Sequence, residues 1–256
     1  MKMKTMVRAL VAGAVLSVSV SSFAAPVYLR STVGAPWGQS TNEAAMDVVF
    51  GAGNWTDGRY ETVNTATLFS AGTNFIFMEG GDSNADELEA FLGANGAAIS
   101  GWVNAGGRLL LNAAPNEGNG MSFGFGVSLN YPDFGAGNCA SHAVNPANPI
   151  FSGIATNYTG NSFCHATVSG GGLSAIIADD SDNDTVLGEM AIGSGLALFG
   201  GMTTTNFHSP QPDATTLREH IIAYAVNGAV NRVPVPGVLA LCGIGFLGIL
   251  ISRRRG

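Results

Sequence analysis

Lysine is absent beyond position 4, and long charged side chains are rare throughout, at 11% of residues. Between residues 25 and 232 the only basic residues are Arg30, Arg59, Arg108, Arg218 and Arg232. All eighteen acids lie in the same stretch, so five positive against eighteen negative charges leave it at −13. Five scattered arginines build no basic groove, which excludes nucleic acid as a partner and makes anionic surfaces repulsive. Cysteine is equally scarce, with Cys139 and Cys164 in the body and Cys242 near the end, too few for a disulfide-dense scaffold. Gly193-Ser194-Gly195 falls in a loop between strands, not on a strand-to-helix elbow. The chain is rich instead in small residues, with 36 glycines, and its 46% hydrophobic content suffices for one large core.

The two ends differ from the body. Lys2, Lys4 and Arg8 precede an apolar run over residues 9–20, and Ser22-Phe23-Ala24 has the small-x-small pattern of a cleavage site. This is a secretory signal peptide over residues 1–24, cut after Ala24 and before Ala25 by signal peptidase. At the other end, Val233-Pro234-Val235-Pro236 precedes an apolar stretch and Arg253-Arg254-Arg255. The stretch 237–251 would rise ~22 Å as a helix against a hydrocarbon core of about 30 Å. It spans a bilayer when the arginines snorkel, and the positive-inside rule keeps them cytoplasmic and the acidic body outside. Both ends therefore specify one topology, with an exported domain over residues 25–230 and a tail over 231–256.

Within the body, period and punctuation predict a strand over 27–32 and a helix over 41–50. A turn and short strand follow in "WTDGRYETVN", and the glycine-bounded run 74–81 reads as a buried parallel strand. Leu88, Phe91, Leu92, Ile99, Trp102 and Val103 recur at helical spacing after a capping-box-like start at Ser83. Gly93 and Gly96 should divide that helix, and Gly106-Gly107 should end it before the strand "RLLLNA". Residues 115–172 read as loop. Strands are expected over 173–178, 185–191 and 196–200, then a helix over 215–226. Strand and helix in alternation predict an α/β fold, a layered and mostly parallel sheet flanked by helices.

"ELEAFLGANGAAISGWVNAGGRLLL", "NPIFSG" and "GSGLALFGGMTTTNFH…LREHIIAYAVNG" resemble, in their order of elements, the glutamine-amidotransferase-like (flavodoxin-like) α/β fold. That resemblance implies a nucleophilic cysteine on a Gly-x-Cys-x-Gly elbow. Gly137-Asn138-Cys139 supplies half of the pattern, Ser141 replaces the second glycine, and "RLLLNAAPNEG" has no cysteine. No catalytic residue is assigned. The tail, in turn, resembles the PEP-CTERM sorting signal of Gram-negative bacteria, in its Val-Pro-x-Pro variant, with Val235 where the family has a central glutamate. The resemblance implies processing near the proline motif by an exosortase-like protease, passage through the inner membrane, and release to the surface or an exopolysaccharide biofilm matrix.

Three constellations remain in the body. Export makes a Cys139–Cys164 disulfide the default, closing a loop for about 3 kcal/mol of stabilisation. The alternative joins Cys139, His142, Cys164 and His165 on zinc, at a spacing unusual for one metal. His208 and His220 stand singly, in a loop and on a helix. Asp180, Asp182 and Asp184 alternate like the opening ligands of a calcium loop but lack its glycine and glutamate, so an acidic hairpin tip competes with a calcium site. The reading is a non-catalytic exported protein of the cell surface or extracellular matrix, with extracellular polysaccharide as a partner. The competing readings are a surface hydrolase or transferase acting on glycans and a calcium-dependent binding module.

Overall fold

The structure, a computed structural model, describes residues 25–131 and 139–228. Its spine is a ten-stranded sheet. Strands β1 (Val27–Arg30), β2 (Thr56–Arg59), β3 (Phe75–Glu79) and β4 (Arg108–Asn112) lie beside β12 (Gly195–Gly200) in the order β2-β1-β3-β4-β12, all parallel. From β12 the sheet continues antiparallel through β11 (Thr185–Ile192), β10 (Ser174–Asp179), β7 (Ser141–Ala143), β8 (Asn157–Gly160) and β13 (His208–Ser209). The expected mostly parallel sheet is thus a mixed one. The physical reason lies in the connections, since the short turns at 180–184 and 193–194 can only make hairpins, whereas a parallel crossover needs a dozen residues or more.

Period-two alternation fills both faces. In β1, β3 and β4, Tyr28, Phe75, Phe77 and Leu110 point to a core shared with α1 (Thr41–Phe50) and α4 (Asp213–Asn227). Val27, Leu29, Ile76, Met78, Leu109 and Leu111 point to the other core, under α3 (Ala85–Asn104). The α1 helix keeps the bounds its pattern predicts, and a single-turn helix α2 (Thr65–Leu68) joins β2 to β3.

Two expectations about α3 fail. The helix runs unbroken through Gly93 and Gly96 for 20 residues. Each glycine costs about 1 kcal/mol against alanine, but Leu88, Ile99 and Val103 are fully buried along the inner face, and each large side chain so buried contributes ~1.5–3 kcal/mol. Its start is not capped by Ser83 either. Glu117, far along the chain, accepts hydrogen bonds from the backbone N–H groups of Ala85 at 3.0 Å and Asp86 at 3.4 Å, so tertiary structure supplies the acid that a helix N-terminus favours. The stop is as expected. Gly106 adopts φ +115°, and a side chain at Gly107 would strike the Trp102 ring at 2.5 Å.

The stretch 115–172, read as loop, contains strands. β5 (Met121–Gly124), β6 (Val127–Asn130) and β9 (Thr167–Gly170) form a separate three-stranded sheet. Met121, Phe123, Val127, Leu129 and Val168 add their inward side chains to the α3 core. Three or four residues per strand are too few for alternation to stand out in sequence.

Candidate functional site

In an open sheet the parallel strands end at one edge, where ligands of α/β proteins bind. That carboxyl edge carries Ser31, Glu79, Asn112 and Gly201, following or ending β1, β3, β4 and β12. Glu79 is its centre and is 2% exposed. Asn42, from the first turn of α1, donates to Glu79 Oε2 at 3.0 Å and to the Tyr28 hydroxyl at 3.2 Å. Asn112 donates to the same carboxylate at 3.3 Å and to the Met202 carbonyl at 2.8 Å, while the Met202 N–H donates back to Asn112 Oδ1 at 3.1 Å. The Tyr60 hydroxyl donates to the backbone carbonyl of Glu79 at 3.0 Å. Two side chains from separate segments, Asn42 and Asn112, thus converge on one carboxyl group.

Charge at this edge is set by depth. Burial pushes the Glu79 carboxyl up to about 7, against the opposing pull of the Arg218 guanidinium and hydrogen bonds from Asn112, Gly81 and Asn42. Arg218 comes from the buried face of α4, donates to the Thr203 carbonyl at 2.8 Å and lies 5.9 Å from the Phe77 ring centre. His208 is held neutral, its imidazole pushed down to about 3 by burial and by Arg218, with Nε2 2.9 Å from the Thr203 hydroxyl.

Trp37 covers the cluster. It takes φ +55°, donates from its indole to the Ala114 carbonyl at 3.2 Å, and meets the His165 and Phe207 rings edge-on at 5.1 and 5.8 Å. Gly81 is required beneath it, because a Cβ there would meet Glu79 Oε1 at 2.8 Å and the Trp37 ring at 3.3 Å. The turn after β4, where the amidotransferase resemblance would place a nucleophile, reads Ala113-Ala114-Pro115. The arrangement can hold or release a proton at Glu79, and no nucleophile contacts it among the described residues.

The other residues singled out in sequence have partners of their own. Cys139 and Cys164 form the expected disulfide, with Cα atoms 5.7 Å apart. Cys139 therefore does not join Glu79 and His208 in a catalytic pocket. The zinc quartet is also dispersed, since both sulfurs are bonded to each other and the histidines turn elsewhere. His142 Nδ1 pairs with Asp180 at 2.6 Å, and His165 Nε2 bonds the Pro115 carbonyl while its ring stacks on Tyr131. His220 bonds the Ile150 carbonyl at 2.8 Å.

The acidic turn is corrected in one member. Asp180 is engaged by His142, and it is Asp179, at the end of β10, whose carboxylate lies within 4.8 Å of those of Asp182 and Asp184. Asp179 Oδ1 accepts from the Ser181 N–H and hydroxyl, both at 2.8 Å, and from the Asp182 N–H at 3.0 Å, closing a turn on itself. The signal-peptide site at Ala24, the motif Val233-Pro234-Val235-Pro236, the stretch 237–251 with Cys242, and Arg253, Arg254 and Arg255 lie outside the described residues. Among the described residues no helix is long and apolar enough to cross a membrane.

Sequence reasoning missed Asn42, Asn112, Tyr60, Trp37 and Arg218. Two of the cluster's members left a trace: Glu79 is an acid closing an apolar strand before Gly80-Gly81, and Arg218 is the one cation on the apolar face of its helix. A cavity of about 700 Å³ lies at the opposite, amino edge, between α2 and α3, against Phe69, Thr73, Trp102 and Gly107.

No protein-family model matches the chain, and no curated protein does. Solved structures do resemble it. A GMP synthase-like protein from Thermoplasma acidophilum superposes with a TM-score of 0.50 at 14% identity, over 77% of this chain and 92% of that one. A ThuA-like protein from Bacteroides uniformis gives 0.49 at 12% identity over 85% and 97%. The β-galactosidase of Rahnella sp. R3 gives 0.46 at 13% identity; 79% of this chain is covered, but it spans only 31% of that enzyme. At such identities the likeness concerns the fold, which is mixed α/β and amidotransferase-like.

Proposed function

We propose that this is an exported, non-catalytic protein of the bacterial surface or extracellular matrix, delivered by a PEP-CTERM-like tail that an exosortase-like protease removes. The body meets extracellular polysaccharide rather than nucleic acid, and the inner membrane holds the precursor only in transit. The observation carrying this reading is the Cys139–Cys164 disulfide, which fits an oxidising compartment and takes the one cysteine with any elbow-like context out of nucleophilic chemistry. The competing hydrolase or transferase reading has Glu79 as its acid–base group, but that carboxyl is 2% exposed, and no nucleophile contacts it among the described residues.

Peptide mapping of the mature C-terminus tests the proposal in a host with an active exosortase. Mature surface protein should end before Arg253, and the Pro234→Ala/Pro236→Ala variant should accumulate unprocessed in the inner membrane. A surface form that retains Arg253, Arg254 and Arg255 would overturn the sorting reading.

A further inference from the structure

Resting on the sorting reading above, we infer that the membrane-held precursor stands with the amino edge of its sheet toward the lipid. Its carboxyl edge, with Trp37, the disulfide and the acidic turn, then faces outward as the surface open to partners. The inference comes from where the body's two connections emerge. At its start, the Ala25 N–H donates to the Gly72 carbonyl at 3.0 Å, just ahead of β1 and β3 and on their amino side. At its end, α4 runs back from the carboxyl edge and stops at Gly228, where a Cβ would lie 3.4 Å from the guanidinium of Arg108, the first residue of β4. Both connections therefore leave from one pole, and the residues of chemical interest occupy the other.

Linker length makes this polarity matter. Eight residues, 229–236, separate Gly228 from the apolar stretch, and fully extended they reach at most ~28 Å. A folded body of this size is roughly 40 Å across, so a tether leaving the amino edge cannot pass around the body and bring the carboxyl edge onto the lipid. Charge acts in the same direction. Arg108 sits at the amino edge, while the exposed Asp180, Asp182 and Asp184 cluster at the carboxyl edge, where an anionic leaflet would repel them.

The test uses the signal-processed chain, residues 25–256, with Cys242→Ser, reconstituted in phosphatidylethanolamine and phosphatidylglycerol vesicles that carry a headgroup quencher. A fluorophore is placed through Ala105→Cys at the amino edge or Val33→Cys at the carboxyl edge, both exposed positions. Quenching at the Ala105→Cys label should exceed that at the Val33→Cys label about threefold, because roughly 40 Å of protein separates the poles. Equal or reversed quenching in protein that floats with the vesicles would overturn the orientation and leave the anchoring tail intact. Protein that does not float would overturn the tail reading and this inference with it.

Discussion

Two buried carboxyl groups end strands at the same edge of this sheet, and they are driven in opposite directions. Glu79 closes β3 and Asp179 closes β10, and they are 2% and 6% exposed. Burial raises both, and for Glu79 it prevails, lifting the group to about 7. For Asp179 the hydrogen bonds from Asp182 and Ser181 outweigh burial and hold the carboxyl below its ordinary value. The difference is in the donors. Asp179 sits at a turn that folds N–H and hydroxyl groups directly onto one oxygen at 2.8–3.0 Å. Glu79 lies deep in the sheet, where side-chain amides reach it from 3.0 to 3.4 Å and the cation that favours its charge, Arg218, spends its bond on the Thr203 carbonyl. Burial alone therefore does not set a carboxyl group's proton affinity; the supply of local donors decides.

The sharpest way to break this comparison is to remove each carboxyl group. Glu79→Ala should destabilise by roughly 2–4 kcal/mol in urea unfolding, because two buried amides lose their acceptor and the truncated side chain leaves a cavity. Asp179→Ala should cost only about 1–2 kcal/mol, since the freed donors lie in a turn bordered by exposed residues and can bond water. Equal losses at the two sites would show that the depth of Glu79 carries no special burden.

The pH dependence follows in size. Glu79 has its folded pKa raised, so the folded state holds more protons than the unfolded one between about 4.5 and about 7. Its contribution is therefore full below 4.5 and is lost as pH rises through 7. His208 has the opposite slope, because burial and Arg218 depress its pKa to about 3, and the stability it contributes is lost as pH falls below 6.5. The two slopes offset each other between about 4.5 and 6.5, which is why a variant is needed to see either. In Glu79→Gln the cost relative to wild type should shrink by about 3 kcal/mol between pH 4.5 and pH 8, since one pKa unit is worth about 1.4 kcal/mol. A cost independent of pH would refute the raised carboxyl.

A smaller effect is expected at the turn. Ser181→Ala removes the hydroxyl bonded to Asp179 and should cost roughly 0.5–1.5 kcal/mol. It should also raise the Asp179 carboxyl, measurable by following its side-chain carbon signal against pH. The smallest expected effect is calcium's. Asp179 already has its oxygen occupied by three donors, so millimolar calcium should leave the melting temperature unchanged. A calcium-dependent rise that disappears in Asp182→Asn and Asp184→Asn would establish an ion site there.

Legibility followed the range of the interactions involved. The bounds of α1, the buried run of β3, the Gly106-Gly107 stop and the three strands β10 to β12 were readable, though not their antiparallel pairing, because each rests on neighbours within a few residues. The strands of the small sheet were not, being too short for a pattern, and α3 survived its internal glycines only because distant side chains bury its inner face. Of the site, the pairing of Cys139 with Cys164 was readable from their number in the body. Asp180 stands where Asp179 belongs in the sequence pattern, because alternation does not reveal which carboxylates a turn brings together.

The sequence by itself determined the class of the fold, its main helices and the acidity of the body. All of these follow from local periodicity, turn chemistry and charge. Only the tertiary structure decided that Asn42, Glu79, Asn112 and Met202 meet, across separations of 33 to 90 residues, and that Glu117 rather than Ser83 caps α3. Such contacts depend on which strands the sheet places side by side. A carboxyl group's donors, its depth and hence its proton affinity come into being only when the chain closes on itself.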